Sequence, residues 1–206
     1  MPFNQEKADF VVNFIQCLKL GDDFYGQPFM LQPWQKDAVS EFYGTLKDNG
    51  FRKYWYLYFE IPKKNGKSQL AAGLGLYHTF ADGAYDGEVY VCAADKDNAS
   101  IVFNAALSML DQCPYLKKRA KIKASQRVIV DKVTHTVFKV LSAEAYSKHG
   151  YKPTCVIFDE LHAQPNRDLW DIMTFGSGSA RKQPVYIVLT TAGDDPDRNS
   201  IGWEIH

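Results

Sequence analysis

Two short stretches carry side chains whose types and spacing suit phosphate chemistry. The first, Pro62-Lys63-Lys64-Asn65-Gly66-Lys67-Ser68, sets a lysine and a hydroxyl directly behind a glycine. It lies between an aromatic, strand-like run, YWYLYFEI (Tyr54–Ile61), and a helix-forming one, Ser68–Phe80. A chain passing from strand through turn into helix can wrap the backbone N–H groups of Asn65, Gly66, Lys67, Ser68 and Gln69 around phosphate oxygens, because an open helix N-terminus and its dipole favour an anion. Lys67 would add a point charge on the β- and γ-phosphates and Ser68 a hydroxyl for Mg²⁺. Lys64 to Gln69 is therefore the candidate nucleotide-binding segment. The formal pattern, G-x-x-x-x-G-K-[ST], is incomplete, since Ile61 stands where its first glycine belongs.

The second stretch, TCVIFDE (Thr154–Glu160), is an apolar strand ending in two carboxylates. Beside a phosphate loop, Asp159 can hold the metal directly or through water, and Glu160 can act as the base that orients and activates an attacking water. An isolated Asp-Glu would serve equally as a helix N-cap and a first-turn acid. The two half-sites together point to nucleotide hydrolysis. A third strand end, VLTTAGDD, brings Thr190, Thr191 and Gly193 to the same edge. The hydroxyls there can bond the water or the γ-phosphate and report its loss, or simply end a strand in β-favouring residues. Upstream, LQPWQ holds two glutamines. The Gln35 amide can accept from adenine N6 and donate to N7, Gln32 is an alternative reader, and Trp34 either packs near the base or belongs to the core.

Positioning such groups calls for alternating strands and helices. A helix from about Gln5 to Leu20 leads into the loop GDDFYGQPFMLQP, and Pro33 can open a second helix, WQKDAVSEFYGTL. Beyond the Tyr54–Ile61 strand and its helix come a strand at Glu88–Ala94, a helix at Lys96–Gln112, a pair of shorter strands at Arg127–Asp131 and Thr134–Ser142, the Thr154–Phe158 strand, a helix near Asp168–Phe175 and a strand at Val185–Thr191. Apolar strands separated by helices indicate a parallel sheet covered on both faces, with ligands beyond the carboxyl ends of its strands. No linker or repeat divides the 206 residues, so one domain is expected.

Twenty-four basic residues balance 24 acidic ones, which leaves no global field to attract nucleic acid or an anionic membrane. Any polyanion must be held locally. The longest basic segment, Leu116–Arg127, carries Lys117, Lys118, Arg119, Lys121, Lys123 and Arg127 without an acidic residue, and reads first as a solvated surface and second as a DNA contact. Cys17, Cys92, Cys113 and Cys155 lack metal-ligand spacing, and two lie in apolar runs as buried free thiols, which suits a reducing compartment. No apolar stretch is long enough for a membrane span or signal core.

PKKNGKS, LQPWQ, LTTAG and above all LSAEAYSKHGYKPTCVIFDELHA (Leu141–Ala163), spread over nearly the whole chain, resemble the ATPase domain of tailed-bacteriophage terminase large subunits. In that family the loop commonly reads P-R-K-N-G-K-[ST], so the missing glycine is itself a mark of the resemblance. The resemblance implies an α/β P-loop NTPase of the RecA-like, additional-strand glutamate type. Its mainly parallel central sheet is flanked by helices, with residues about 1–50 forming N-terminal helices with an adenine-binding segment and about 51–206 the core. It further implies ATP hydrolysis with Mg in the host cytoplasm. The partners implied are double-stranded DNA, the procapsid portal, the small terminase subunit and a homo-oligomeric ring. The family's loop arginine falls at Lys63, which keeps the charge and loses the bidentate fork; Arg127, Arg181 and Arg198 are candidates for an arginine finger acting between subunits. Full-length members carry a nuclease domain after the ATPase, and a chain stopping at SIGWEIH has no room for it. The sequence Asp159-Glu160-Leu161-His162 also spells the D-E-x-H of a helicase, the alternative reading, and a non-hydrolysing nucleotide switch is a third.

Overall fold

The computed structural model describes residues 2–142, 150–175, 181–191 and 201–205. Strands β1 (Tyr56–Glu60), β2 (Glu88–Ala93), β3 (Ala120–Lys123), β4 (Val128–Asp131), β5 (Val137–Ser142), β6 (Cys155–Asp159) and β7 (Val185–Thr190) form a seven-stranded sheet in the order β1-β7-β6-β2-β5-β4-β3. β1, β7, β6, β2 and β5 run parallel; β4 and β3 are antiparallel additions at one edge. β6 and β7 are buried along their whole length, which is why both read as unbroken apolar runs rather than as alternating ones.

The order places β7 between the strand that feeds the phosphate loop and the strand that ends in carboxylates. Glu60 pairs with Thr190 and Asp159 with Leu189, so β1, β7 and β6 end level with one another. Whatever leaves these three ends faces one crevice. The inserted strand is the arrangement expected of the additional-strand class, and the mainly parallel α/β sheet is as expected.

One face of the sheet is covered by α1 (Gln5–Cys17), α2 (Pro33–Gly44), α3 (Lys67–Phe80) and α4 (Lys96–Asp111), whose apolar sides share a core with β1, β2, β5, β6 and β7. The other carries α6 (Asp168–Phe175), the 3₁₀ turn Leu161–Ala163 and α7 (Ile201–Ile205). α3 is buried on nearly every side, so it must be thin. A Cβ on Gly75 would lie 2.4 Å from the Phe138 ring; the run Ala71-Ala72-Gly73 is narrow for the same purpose.

Two boundaries differ from expectation. α1 stops at Cys17 because Leu18 turns extended and Lys19 bridges Pro28. The second strand of the expected pair begins at Val137, after a turn in which Asp131 accepts from the Val133 and Thr134 backbones. The basic segment, to which the sequence assigns no element, is built on a helix and an edge strand: Pro114 opens α5 (Pro114–Arg119), which runs into β3. Lys117 pairs with Asp111 at 3.0 Å and Arg119 clamps Asp131 at 3.1 and 2.5 Å, partners supplied from outside the segment. Exposed Lys121 and Lys123 remain on β3, where charge protects an open edge. Cys92 and Cys155 are buried free thiols, as expected. Among the described residues no helix is long and apolar enough to cross a membrane.

Candidate active site

The loop between β1 and α3 owes its shape to two left-handed residues, Lys64 (φ 67°) and Gly66 (φ 73°). Glycine accepts this conformation freely, whereas at Lys64 it stores strain that the surroundings must hold. They do so with side-chain amides. Asn65 Nδ2 donates to the Pro62 and Lys63 carbonyls at 3.2 and 3.3 Å. Gln35, buried in the first turn of α2, donates from Nε2 to the Asn65 carbonyl at 3.3 Å and accepts the Gln32 backbone N–H at 2.9 Å. Lys63 projects into solvent.

The Lys67 side chain is buried, and its ammonium donates to the Ile61 and Pro62 carbonyls at 3.2 and 3.3 Å and pairs with Glu160 Oε1 at 3.3 Å. Ser68 Oγ donates to Asp159 Oδ2 at 3.4 Å. The loop and the acidic pair therefore converge, across β7, on one place. Asp159 Oδ1 is buried without a hydrogen-bond partner. Burial, with the Glu160 charge beside it, pushes the Asp159 carboxyl up from 3.8 to about 6, against the opposing pull of Ser68 and Lys67. A buried carboxylate oxygen with nothing to bond, next to a hydroxyl, is a hard oxygen donor set that fits Mg²⁺.

Glu160 sits at φ 54°, where the end of β6 breaks into the 3₁₀ turn. Its backbone N–H is pinned to the Leu189 carbonyl at 2.8 Å. Its second oxygen, Oε2, lies 3.2 Å from His162 Nδ1 and accepts from Thr191 Oγ1 at 3.4 Å. Thr190 Oγ1 is 2.9 Å from the same ring nitrogen. Both threonines thus touch the Glu160–His162 pair; Gly193 lies outside the described residues. In sequence His162 is only a letter of D-E-x-H, and its position two residues past the glutamate is the sole signal of a role.

Beside the loop opens a cleft of about 680 Å³, within the range usual for ligand sites, bounded by Phe24, Phe29, Trp34, Gln32, Asn65 and Gln69 among others. Trp34 packs edge-on against Phe59 and stays 38% exposed, a wall of the cleft rather than core. Arg181 donates to the Lys152 and Asp86 carbonyls at 2.9 and 2.8 Å, at the starts of β6 and β2 and so at the far end of the sheet. Arg127 bonds Ser100 Oγ at 3.0 Å in the first turns of α4. Arg198 lies outside the described residues.

With that geometry in place, residues 33–204 match the family model of the terminase large subunit ATPase domain. The chain belongs to this family. It is 31% identical over 201 residues to the terminase large subunit of Enterobacteria phage HK97, covering 95% of the chain and 39% of that relative. The crystal structure of the HK97 large terminase superposes with a TM-score of 0.80 at 29% identity, again over 95% of this chain and 39% of that one. The ATPase domain of the Thermus phage P74-26 large terminase shares the fold at TM-score 0.54 and 17% identity, covering 68% of this chain and 60% of that one. The UvsW helicase of bacteriophage T4 does so at 0.58 and 12%, covering 92% and 61%. At such identities the last two likenesses concern topology alone. The chain thus spans about two fifths of the HK97 terminase large subunit, 39% of its length.

Proposed function

We propose that the crevice at the ends of β1, β7 and β6 hydrolyses ATP with Mg²⁺, and that the hydrolysis drives double-stranded DNA into a procapsid. The observation that carries this reading is the meeting of Lys67 with Glu160 at 3.3 Å and of Ser68 with Asp159 at 3.4 Å, from segments some ninety residues apart in sequence.

Backbone N–H groups from Lys64 to Gln69 line the phosphates at the open first turn of α3. Lys67 exchanges its bonds to Ile61, Pro62 and Glu160 for the β- and γ-phosphate oxygens, which leaves Glu160 Oε1 free to accept a proton from water. Ser68 and Asp159 hold Mg²⁺, which when bound neutralises charge on the phosphoryl oxygens. Lys63, at the mouth of the loop, adds a second positive charge to the transferring group without the fork of an arginine. In the cleft, Gln32 reads the base. Gln35 binds nucleotide indirectly, because both ends of its amide are engaged in holding the loop to α2. Thr190 and Thr191 report phosphate loss to the segment that follows β7, through Glu160 and His162. The packaging reading adds a homo-oligomeric ring on the procapsid portal, loaded through the small terminase subunit in the host cytoplasm.

Glu160→Gln tests the chemistry. The variant is expected to bind ATP as the wild type does and to lose phosphate release by at least about a hundredfold, the scale of a removed general base. Hydrolysis at the wild-type rate would remove Glu160 from the mechanism.

A further inference from the structure

His162 stands outside the loop and the acidic pair, yet Glu160, Thr190 and Thr191 all meet on it. Its ring nitrogen Nδ1 lies 2.9 Å from Thr190 Oγ1 and 3.2 Å from Glu160 Oε2, and its backbone N–H donates to the same threonine oxygen at 3.3 Å. The Thr190 hydroxyl donates to the Thr191 carbonyl at 3.2 Å. With that proton committed, and with the Thr191 hydroxyl, 3.4 Å from Nδ1, donating to Glu160 Oε2, the three oxygens facing Nδ1 are acceptors, which assigns the ring hydrogen to Nδ1. The imidazole therefore donates between the end of β7 and the outer oxygen of Glu160.

The two oxygens of Glu160 are tethered differently. Oε1 is held by Lys67, an ammonium also needed by a triphosphate; Oε2 is held by His162 at 3.2 Å and, at the longer distance of 3.4 Å, by the Thr191 hydroxyl. When Lys67 leaves, a glutamate tethered only by it would swing with it or relax into solvent, since the side chain is already partly exposed and its backbone is in a left-handed conformation. A second tether on Oε2 keeps the carboxylate in place with Oε1 facing the crevice. The turn carrying His162 is itself backed by α7. A Cβ on Gly202 would come within 3.1 Å of His162 Cα and 3.2 Å of its Cβ, so a side chain there would push the turn by a few tenths of an ångström.

We infer that His162 is the positioning residue for Glu160, holding Oε2 while Lys67 is exchanged onto phosphate, and that it links the glutamate to Thr190 and, through the Leu161–Ala163 turn, to α7. The inference rests on the reading of Glu160 as the base. It predicts that His162 matters for turnover and not for nucleotide binding, a split that loss of packing alone would not produce.

The test compares His162→Asn, whose side-chain amide can place a donor where Nδ1 stands, with His162→Leu, which fills similar space without one. The ring is partly exposed, so both substitutions are compatible with folding. Steady-state ATP hydrolysis and the affinity for a fluorescent ATP analogue are measured for both, alongside Glu160→Gln. The Leu variant is expected to lose about tenfold or more in kcat, the scale of a misplaced catalytic group, with analogue affinity within about twofold, and the Asn variant to recover most of the rate. Equal rates in the Asn and Leu variants, beside an inactive Glu160→Gln, overturn the role of His162 and leave the hydrolytic site standing. An active Glu160→Gln overturns the reading of Glu160 as the base and, with it, the role of His162.

Discussion

The two ends of α3 each gather charge, and they treat it in opposite ways. At its C-terminal end His78 is buried, with Nε2 2.7 Å from the Tyr43 hydroxyl and Nδ1 3.0 Å from Asp82 Oδ2, while Arg52 takes the other Asp82 oxygen at 3.0 Å and donates to the Gln183 carbonyl at 2.8 Å. Every oxygen and ring nitrogen of Asp82 and His78 has a partner. Burial raises the Asp82 carboxyl, but His78 and Arg52 outweigh it and hold the group below its ordinary value. At the N-terminal end Asp159 has one orphaned oxygen, sits beside a second carboxylate and is pushed up to about 6. Burial is shared by both clusters and so does not distinguish them. The difference lies at the carboxylates: the network closed around Asp82 ties α2, α3 and the starts of β1 and β7 together and leaves Arg52 Nε, not a carboxylate oxygen, without a bond, while the open one around Asp159 lacks a cation.

The comparison can be broken from either side. Removing the carboxylate of the closed cluster, Asp82→Ala, leaves Arg52 unpaired; unfolding stability should fall by about 3–5 kcal/mol in denaturant titration, with ATP affinity unchanged. A large loss of nucleotide binding there would show that the two ends are not separate. The opposite substitution, Asp159→Asn, removes a charge that the nucleotide-free protein holds at a cost. At pH 7.5 it should raise stability by about 1–3 kcal/mol while abolishing Mg²⁺-dependent hydrolysis, since a shift from 3.8 to about 6 disfavours the ionised fold by that order.

Acidity separates the clusters more gently and with opposite signs. The Asp82 contribution is present above its ordinary range near 3.8 and is lost as pH falls through its lower folded value. Asp159, raised, costs the nucleotide-free fold nothing at low pH and destabilises it as pH climbs from about 4 to about 6, so the gain from Asp159→Asn should vanish near pH 4. Unfolding curves at pH 4, 6 and 8 would show it, and a gain independent of pH would mean that the charge at Asp159 is not its source.

How much of this is legible in the sequence follows from how local each feature is. The phosphate loop, the acidic strand end and the alternation of strands with helices are patterns within a few consecutive residues, and they stand out in PKKNGKS, TCVIFDE and VYIVLTT. The insertion of β7 between β1 and β6 depends on pairing across more than a hundred residues, and only the family resemblance anticipates it. Gln35 reads from its sequence as a free amide; its two bonds to Gln32 and Asn65 exist only once α2 meets the loop. Arg119 looks unpaired in sequence because Asp131 reaches it through the antiparallel pairing of β4 with β3, which sets Asp131 opposite Ala120. His162 is hidden for the same reason, since its partners Thr190 and Thr191 lie at the end of β7, almost thirty residues further along.

The most direct measurement is a crystal structure with Mg²⁺ and a non-hydrolysable ATP analogue. Lys67 Nζ should have left Glu160 for the β- and γ-phosphates, Ser68 Oγ and Asp159 Oδ1 should face the metal, and the base should lie in the cleft beside Gln32. A triphosphate bound elsewhere, with the Lys67–Glu160 pair intact, would contradict the account.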